Sequence, residues 1–130
     1  MILRATRLLA GLAPLPLVAA LLVAMPARAA ELVMLEEVGC PWCEEWNERI
    51  GPIYPKTEEG RRAPLRRVDI HDPLPDDLAW MVPGNYTPTF VLVDDGREIG
   101  RIRGYPGEDF FWGLLGEIME RLDSEPAPEG

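Results

Sequence analysis

The amino-acid sequence predicts one small α/β domain with the element order β-α-β-α-β-β-α, and three observations carry that expectation. A short apolar run from Leu32 to Val38 stops at Gly39 and passes into Cys40-Pro41-Trp42-Cys43, which reads as a strand followed by a helix start. Two β-type segments flank Asp94-Asp95-Gly96, the mark of a hairpin. Apolar residues then recur at helical spacing from Asp109 to Leu122.

Each element has its own local reason. Leu32-Val33-Met34-Leu35 is apolar on both alternating faces, as a strand inside a sheet requires. Pro41 suits a first helical turn, where its missing N–H would have no partner, and Glu44, Glu45 and Glu48 favour a helix beginning near Cys40. Gly51-Pro52 breaks that helix after Ile50. Leu65 to Ile70 forms the second strand, and Asp72-Pro73 with Pro75 marks a loop. A short helical turn through Leu78, Trp80 and Met81 follows, then the breaker cluster Pro83-Gly84-Asn85. Thr89 to Val93, rich in β-branched residues, is the third strand, and Glu98 to Arg103 is the less regular fourth. Phe110, Phe111, Leu114, Leu115, Ile118, Met119 and Leu122 give the closing helix a face to lay on the sheet. Trp46, Trp80, Trp112, Phe110 and Phe111 are expected as core or helix-packing residues. Ser124 to Gly130 has no periodicity and is expected as a frayed tail.

The N-terminus speaks for export. Arg4 and Arg7 precede an apolar run from Leu8 to Met25, and Ala27-Arg28-Ala29 fits the small-x-small pattern of a signal-peptide cleavage site. Residues 1–29 are therefore expected as a signal peptide and residues 30–123 as the folded domain. Retention of the run as an N-terminal membrane anchor is the alternative, because its length approaches the ~18 residues of a spanning helix. Cleavage would remove three arginines and no acid, taking the formal charge from -9 to about -12. Such a surface speaks against a nucleic-acid partner. About 100 residues remain, enough for one core and not for two.

Cys40 and Cys43 are the only cysteines. With the first at a helix N-terminus and the second one turn on, they can close a small ring and hold or donate two electrons, Cys40 attacking and Cys43 resolving. The helix N-terminus favours a thiolate at Cys40, whereas Glu36, Glu37, Glu44 and Glu45 oppose one. Trp42 supplies no fixed positive charge, so the pair is expected to be a reductant or isomerase couple rather than a strong oxidant. A static staple is the bland alternative, although so short a ring removes little chain entropy. Zinc would need about four ligands and finds only Cys40, Cys43 and His71 beyond carboxylates, and residue 44 is Glu44 where haem attachment needs histidine. No metal is expected, nor any cofactor beyond the Cys40–Cys43 pair itself. His71 is expected as a surface residue with no catalytic role.

The element order, Cys-x-x-Cys at the tip of the first strand, and Thr87-Pro88 just before the third together resemble the thioredoxin family over nearly the whole exported part. The resemblance implies a minimal thioredoxin fold, a mixed four-stranded sheet flanked by helices, without the extra N-terminal strand and helix. It implies that Pro88 is the family's cis-proline, that Thr87 pairs its backbone with a bound substrate strand, and that Pro41 and Trp42 belong to the docking surface. The export signal, the short N-terminus and Gly104-Tyr105-Pro106-Gly107 followed by Phe110-Phe111 are most similar to the periplasmic thioredoxins of bacterial sulfur oxidation, the SoxS type. The chain departs from the family at Met34, where a buried aspartate usually assists the resolving thiol. Glu36, on the same strand face, stands either as its replacement, a proton acceptor, or as a solvated strand-end acid.

The expected function is thus thiol-disulfide oxidoreduction in the periplasm by a monomer. The resemblance implies that it reduces or reactivates a cysteine of a partner protein, a sulfur-carrier protein among the candidates, with electrons from a membrane thiol reductant. An oxidase or isomerase of folding proteins is the rival within the class, and a non-catalytic interaction module is the rival outside it.

Overall fold

The computed structural model describes residues 29–124, so residues 1–28 of the expected signal peptide and residues 125–130 of the expected tail lie outside the described residues. Four strands, β1 (Glu31–Glu36), β2 (Leu65–Asp69), β3 (Thr89–Asp94) and β4 (Arg97–Arg103), form one sheet in the order β2-β1-β3-β4. β1 runs parallel to β2 and antiparallel to β3, and β3 pairs antiparallel with β4 through the Asp94-Asp95-Gly96 turn. The sheet is mixed, as expected. Among the described residues three α-helices accompany it: α1 (Pro41–Arg49), α2 (Glu58–Arg62) and α3 (Glu108–Ser124).

Alternation along β1 sorts its side chains into two cores. Leu32 and Met34 pack with Cys40, Cys43, Trp46, Ile50, Phe90, Phe111 and Leu115 on the face covered by α1 and α3. Val33 and Leu35 pack with Val68, Leu78, Met81 and Val91 on the other. That second face has no full helix over it among the described residues. The helical turn expected near Leu78 is a single 3-10 turn, Asp76–Leu78, because Pro73 and Pro75 crowd its start and Pro83 its exit.

Two aromatics stand where the sequence did not place them. Phe110 is 71% exposed and Trp80 is 42% exposed. On α3 the inward stripe is Phe111, Leu115, Ile118 and Met119, and Phe110 with Leu114 lies one step of about 100° off it. Seven apolar residues overfill one helix stripe. Trp80 instead donates its indole N–H to the Asp77 carbonyl at 2.9 Å.

Helix α2 was not foreseen. Thr57 caps it, accepting from the Gly60 N–H at 3.0 Å, with Glu58 and Glu59 in its first turn and Arg61 and Arg62 in its last, as the helix dipole favours. Buried Tyr54 anchors its far end by donating to the Ala63 carbonyl at 2.7 Å. Gly60 is buried where α2 crosses the preceding 3-10 turn, Tyr54–Lys56, and a Cβ there would lie 1.9 Å from the Tyr54 carbonyl oxygen. Backbone cannot yield as a side chain does. Gly60→Ala is expected to cost about 3 kcal/mol of unfolding free energy, read as a lower urea midpoint with an unchanged slope.

Candidate active site

The strand register assembles the site. Leu35 pairs with Thr89, so the residues leaving β1 meet those entering β3, and Glu37 comes beside Thr87 across 50 residues of sequence. Glu36 pairs with Asp69, so the end of β2 and His71 arrive on the opposite flank. Gly39, at a φ of +78°, then turns the chain sharply into α1, a backbone shape that side-chain-bearing residues rarely adopt.

Cys40 occupies the N-cap of α1: its carbonyl accepts the first helical bond from the Glu44 N–H at 3.1 Å, and its Sγ accepts from the Cys43 N–H at the same distance. The sulfurs of Cys40 and Cys43 are joined in a disulfide, with a Cα–Cα separation of 5.2 Å. Both cysteines are buried, at 5% and 2% exposure, so Cys40 is the one nearer the surface. Beneath them Trp46 is fully enclosed and packs against Phe90 and Phe111 at centroid distances of 5.1 and 5.7 Å, fixing α1 to the sheet.

The residues around the disulfide divide by chemistry. Trp42, 58% exposed, lines a groove of about 480 Å³ with Tyr86, Thr87, Arg103, Gly104, Tyr105 and Pro106. Pro41 is exposed, and Val38 stands 95% open to solvent on the turn before Cys40. The Thr87–Pro88 peptide bond is cis, Pro88 is buried, and its carbonyl accepts from the Gly104 N–H at 2.7 Å. Thr89, buried, donates its hydroxyl to the Tyr86 carbonyl at 2.6 Å and braces the same loop.

On the other side lies a cavity of about 310 Å³ bounded by Cys40, Cys43, Glu36, Glu37, Glu44, Asn47 and Asp69. Four carboxylates therefore share a hollow with the two sulfurs. Basic side chains answer two of them. Arg67 donates to Glu36 at 2.9 Å and to Asn47 at 2.8 Å, and its guanidinium stands 6.0 Å from the Trp46 ring centroid. His71 Nε2 lies 2.8 Å from Glu37, whose other oxygen accepts from the Thr87 hydroxyl at 2.7 Å. Those hydrogen bonds, Thr87 first and then His71, hold the Glu37 carboxyl below its ordinary value, and the bond to Glu37 holds His71 above its own.

Met34 is fully buried in the core with both cysteines, an apolar side chain where the family usually has its acid. Glu36 is on the same face, partly exposed, ion-paired to Arg67 and on the cavity that Cys43 also lines. His71 is exposed, and its partnership with Glu37 escaped the sequence because it depends on strand register. Among the described residues no group of three or more histidines, cysteines and acids is arranged to hold a metal ion.

No family model and no curated protein matches the chain. Solved structures do. The periplasmic thioredoxin SoxS from Paracoccus pantotrophus, in its reduced form, is 46% identical, over 72% of this chain and 98% of that one, with a TM-score of 0.67. The chain belongs to the thioredoxin family. A thioredoxin from Malassezia sympodialis, Mala s 13, shares the fold at 20% identity and a TM-score of 0.52, over 70% of this chain and 76% of that one. A Cys-x-x-Cys disulfide at the head of α1 in a thioredoxin-family chain makes this a thiol-disulfide oxidoreductase.

Proposed function

We propose that this thioredoxin-family domain works in the periplasm as a reductant of a partner protein's cysteine. The observation that carries the proposal is the acid-lined hollow around the disulfide in a chain that is 46% identical to a periplasmic thioredoxin over 72% of its length. A couple is strongly oxidising when its thiolate is stabilised. Here the N-terminus of a nine-residue helix favours the thiolate, Glu37 and Glu44 stand against it, and Trp42 offers it no charge. That balance supports a low potential.

In the forward reaction the Cys40 thiolate attacks a sulfur of the partner's disulfide, forming a mixed disulfide and expelling the first partner thiol. The Cys43 thiolate then attacks Cys40 Sγ, which closes the ring and releases the second. Two electrons and two protons pass to the partner. A membrane thiol reductant on the periplasmic side recharges the pair. The partner strand lies in the groove lined by Trp42 and Thr87, pairing with the Thr87 backbone next to Pro88. By likeness to the sulfur-oxidation thioredoxins, the partner is a protein that carries sulfur on a reactive cysteine, and the N-terminal segment is removed on export. We assign Glu36, two residues beyond Met34 on the same strand face, as acceptor of the Cys43 proton in place of the acid that Met34 lacks, with Arg67 holding its carboxylate in place. Among the described residues no helix is long and apolar enough to cross a membrane.

Three measurements test these assignments. Equilibration with dithiothreitol buffers should place the Cys40–Cys43 couple at about -270 mV, and a value at about -120 mV would reverse the proposed direction of electron flow. Cys43→Ser cannot resolve the mixed disulfide, so its Cys40 should retain one discrete partner from periplasmic extract on a non-reducing gel. No trapped protein under these conditions would count against reduction of a protein partner. Glu36→Gln should slow the resolving step roughly 100-fold at neutral pH and leave the first attack nearly unchanged, as followed by tryptophan fluorescence in stopped flow.

A further inference from the structure

We propose that Glu37 is a positioning residue for partner docking: its carboxylate holds Thr87 in place beside Cys40, and His71, on the carboxylate's other oxygen, sets how firmly. The inference rests on Thr87 being the docking strand of the function proposed above, and it goes beyond that function by naming what orders the strand and what regulates it.

The geometry is specific. The connection from β2 to β3 spans residues 70–88 and contains one 3-10 turn as its sole regular structure. His71 opens that connection and Thr87 all but closes it. Glu37 sits three residues before Cys40 and reaches both, with Oε1 accepting from Thr87 Oγ1 at 2.7 Å and Oε2 lying 2.8 Å from His71 Nε2. One side chain thus pins both ends of a long loop to the turn that carries the disulfide. Between those ends Leu78 and Met81 are buried in the second core, but Val82 and Tyr86 are 74% and 69% exposed, so the stretch that leads into Thr87 gains little order from burial of its own. His71 is set in turn by its backbone N–H, which donates to Asp69 Oδ1 at 2.8 Å. The charged groups that face it are Glu37 from the β1–α1 turn and Asp69 and Asp72 from its own segment.

The sign of the pH effect follows from the two partners. His71 titrates above its ordinary value of 6.5, so its contribution is complete below about that pH and is lost as pH rises through the raised value. Glu37 titrates below 4.5, so its contribution is complete above about that pH and is lost only in stronger acid. The three-way contact is therefore firmest in mildly acidic solution. On the alkaline side, loss of the imidazolium leaves the Glu37 carboxylate oriented by Thr87 without its ion pair.

Two readouts decide the matter. In the oxidised protein neither cysteine titrates, so the amide resonance of Thr87 can be followed by NMR from pH 5.5 to 8.5. It should move with the titration of His71, and Glu37→Gln and His71→Asn should each flatten that movement. Kinetically, Glu37→Gln should raise KM for a neutral synthetic peptide cyclised by one disulfide, by roughly threefold to tenfold, with a smaller change in kcat. A Thr87 resonance indifferent to His71, or an unchanged KM in Glu37→Gln, would overturn the proposal. Failure of the unmodified protein to reduce the peptide would instead strike the reductase function, and the NMR titration would still decide whether Glu37 couples His71 to Thr87.

Discussion

The pairing of β1 with two neighbours of opposite direction is the constraint on which the site depends. Parallel to β2 and antiparallel to β3, β1 delivers its C-terminal end to the point where β2 ends and β3 begins. Three chain segments distant in sequence meet there for no reason of their own. A slip of one residue against β3 would turn Met34 away from the core that holds both cysteines and part Glu37 from Thr87, and a slip against β2 would part Glu37 from His71. Burial enforces the register: Leu32 through Leu35 are at most 1% exposed, so both faces of the strand are committed.

Packing then carries the same constraint to the sulfurs. Trp46 belongs to the helix that begins at the disulfide and lies against Phe90 of β3 and Phe111 of α3. The head of α1 is thereby fixed to the sheet from below, while the Gly39 turn and the Cys40 cap fix it from the front. The segment around Tyr86 and Thr87 lacks an equivalent core. It is held by hydrogen bonds: Thr89 to the Tyr86 carbonyl, Gly104 to the Pro88 carbonyl, and Thr87 to Glu37. Polar ties of this kind are adjustable by charge in a way that aromatic packing is not.

How much of this was legible in the sequence follows from the range of the interactions. The cysteine pair, the helix start and the hairpin are local patterns, and each was readable from a few adjacent residues. The contact of Thr87 with Glu37, in the turn before Cys40, was not readable from the residues themselves, since nothing in Thr87-Pro88 announces a partner 50 residues away. The Glu37–His71 contact was illegible because both residues look like ordinary surface polar groups until the register is known. Helix α2, at five residues with a glycine in its middle, falls below the length at which periodicity speaks, although Thr57 followed by acids and then arginines was a signal that could have found it. Phe110 misled for the opposite reason, because a helical repeat of aromatics shows a face without showing how wide a face the sheet can cover.

The division of the surface around the disulfide links these points to the proposed chemistry. One side, with Trp42, Tyr86, Thr87 and Arg103, is largely aromatic and shallow, suited to an extended partner segment. The other side holds Glu36, Glu37, Glu44 and Asp69 against the same two sulfurs. Were those acids bare, the hollow would disfavour any thiolate and the attack would be slow. Arg67 and His71 relieve part of that charge, each while still engaging its carboxylate in a hydrogen bond. In the proposed chemistry these basic side chains leave Glu36 and Glu37 in place for proton transfer and positioning while offsetting part of the negative charge around the sulfurs. A reductant needs that balance, because a thiolate held too strongly would keep its electrons.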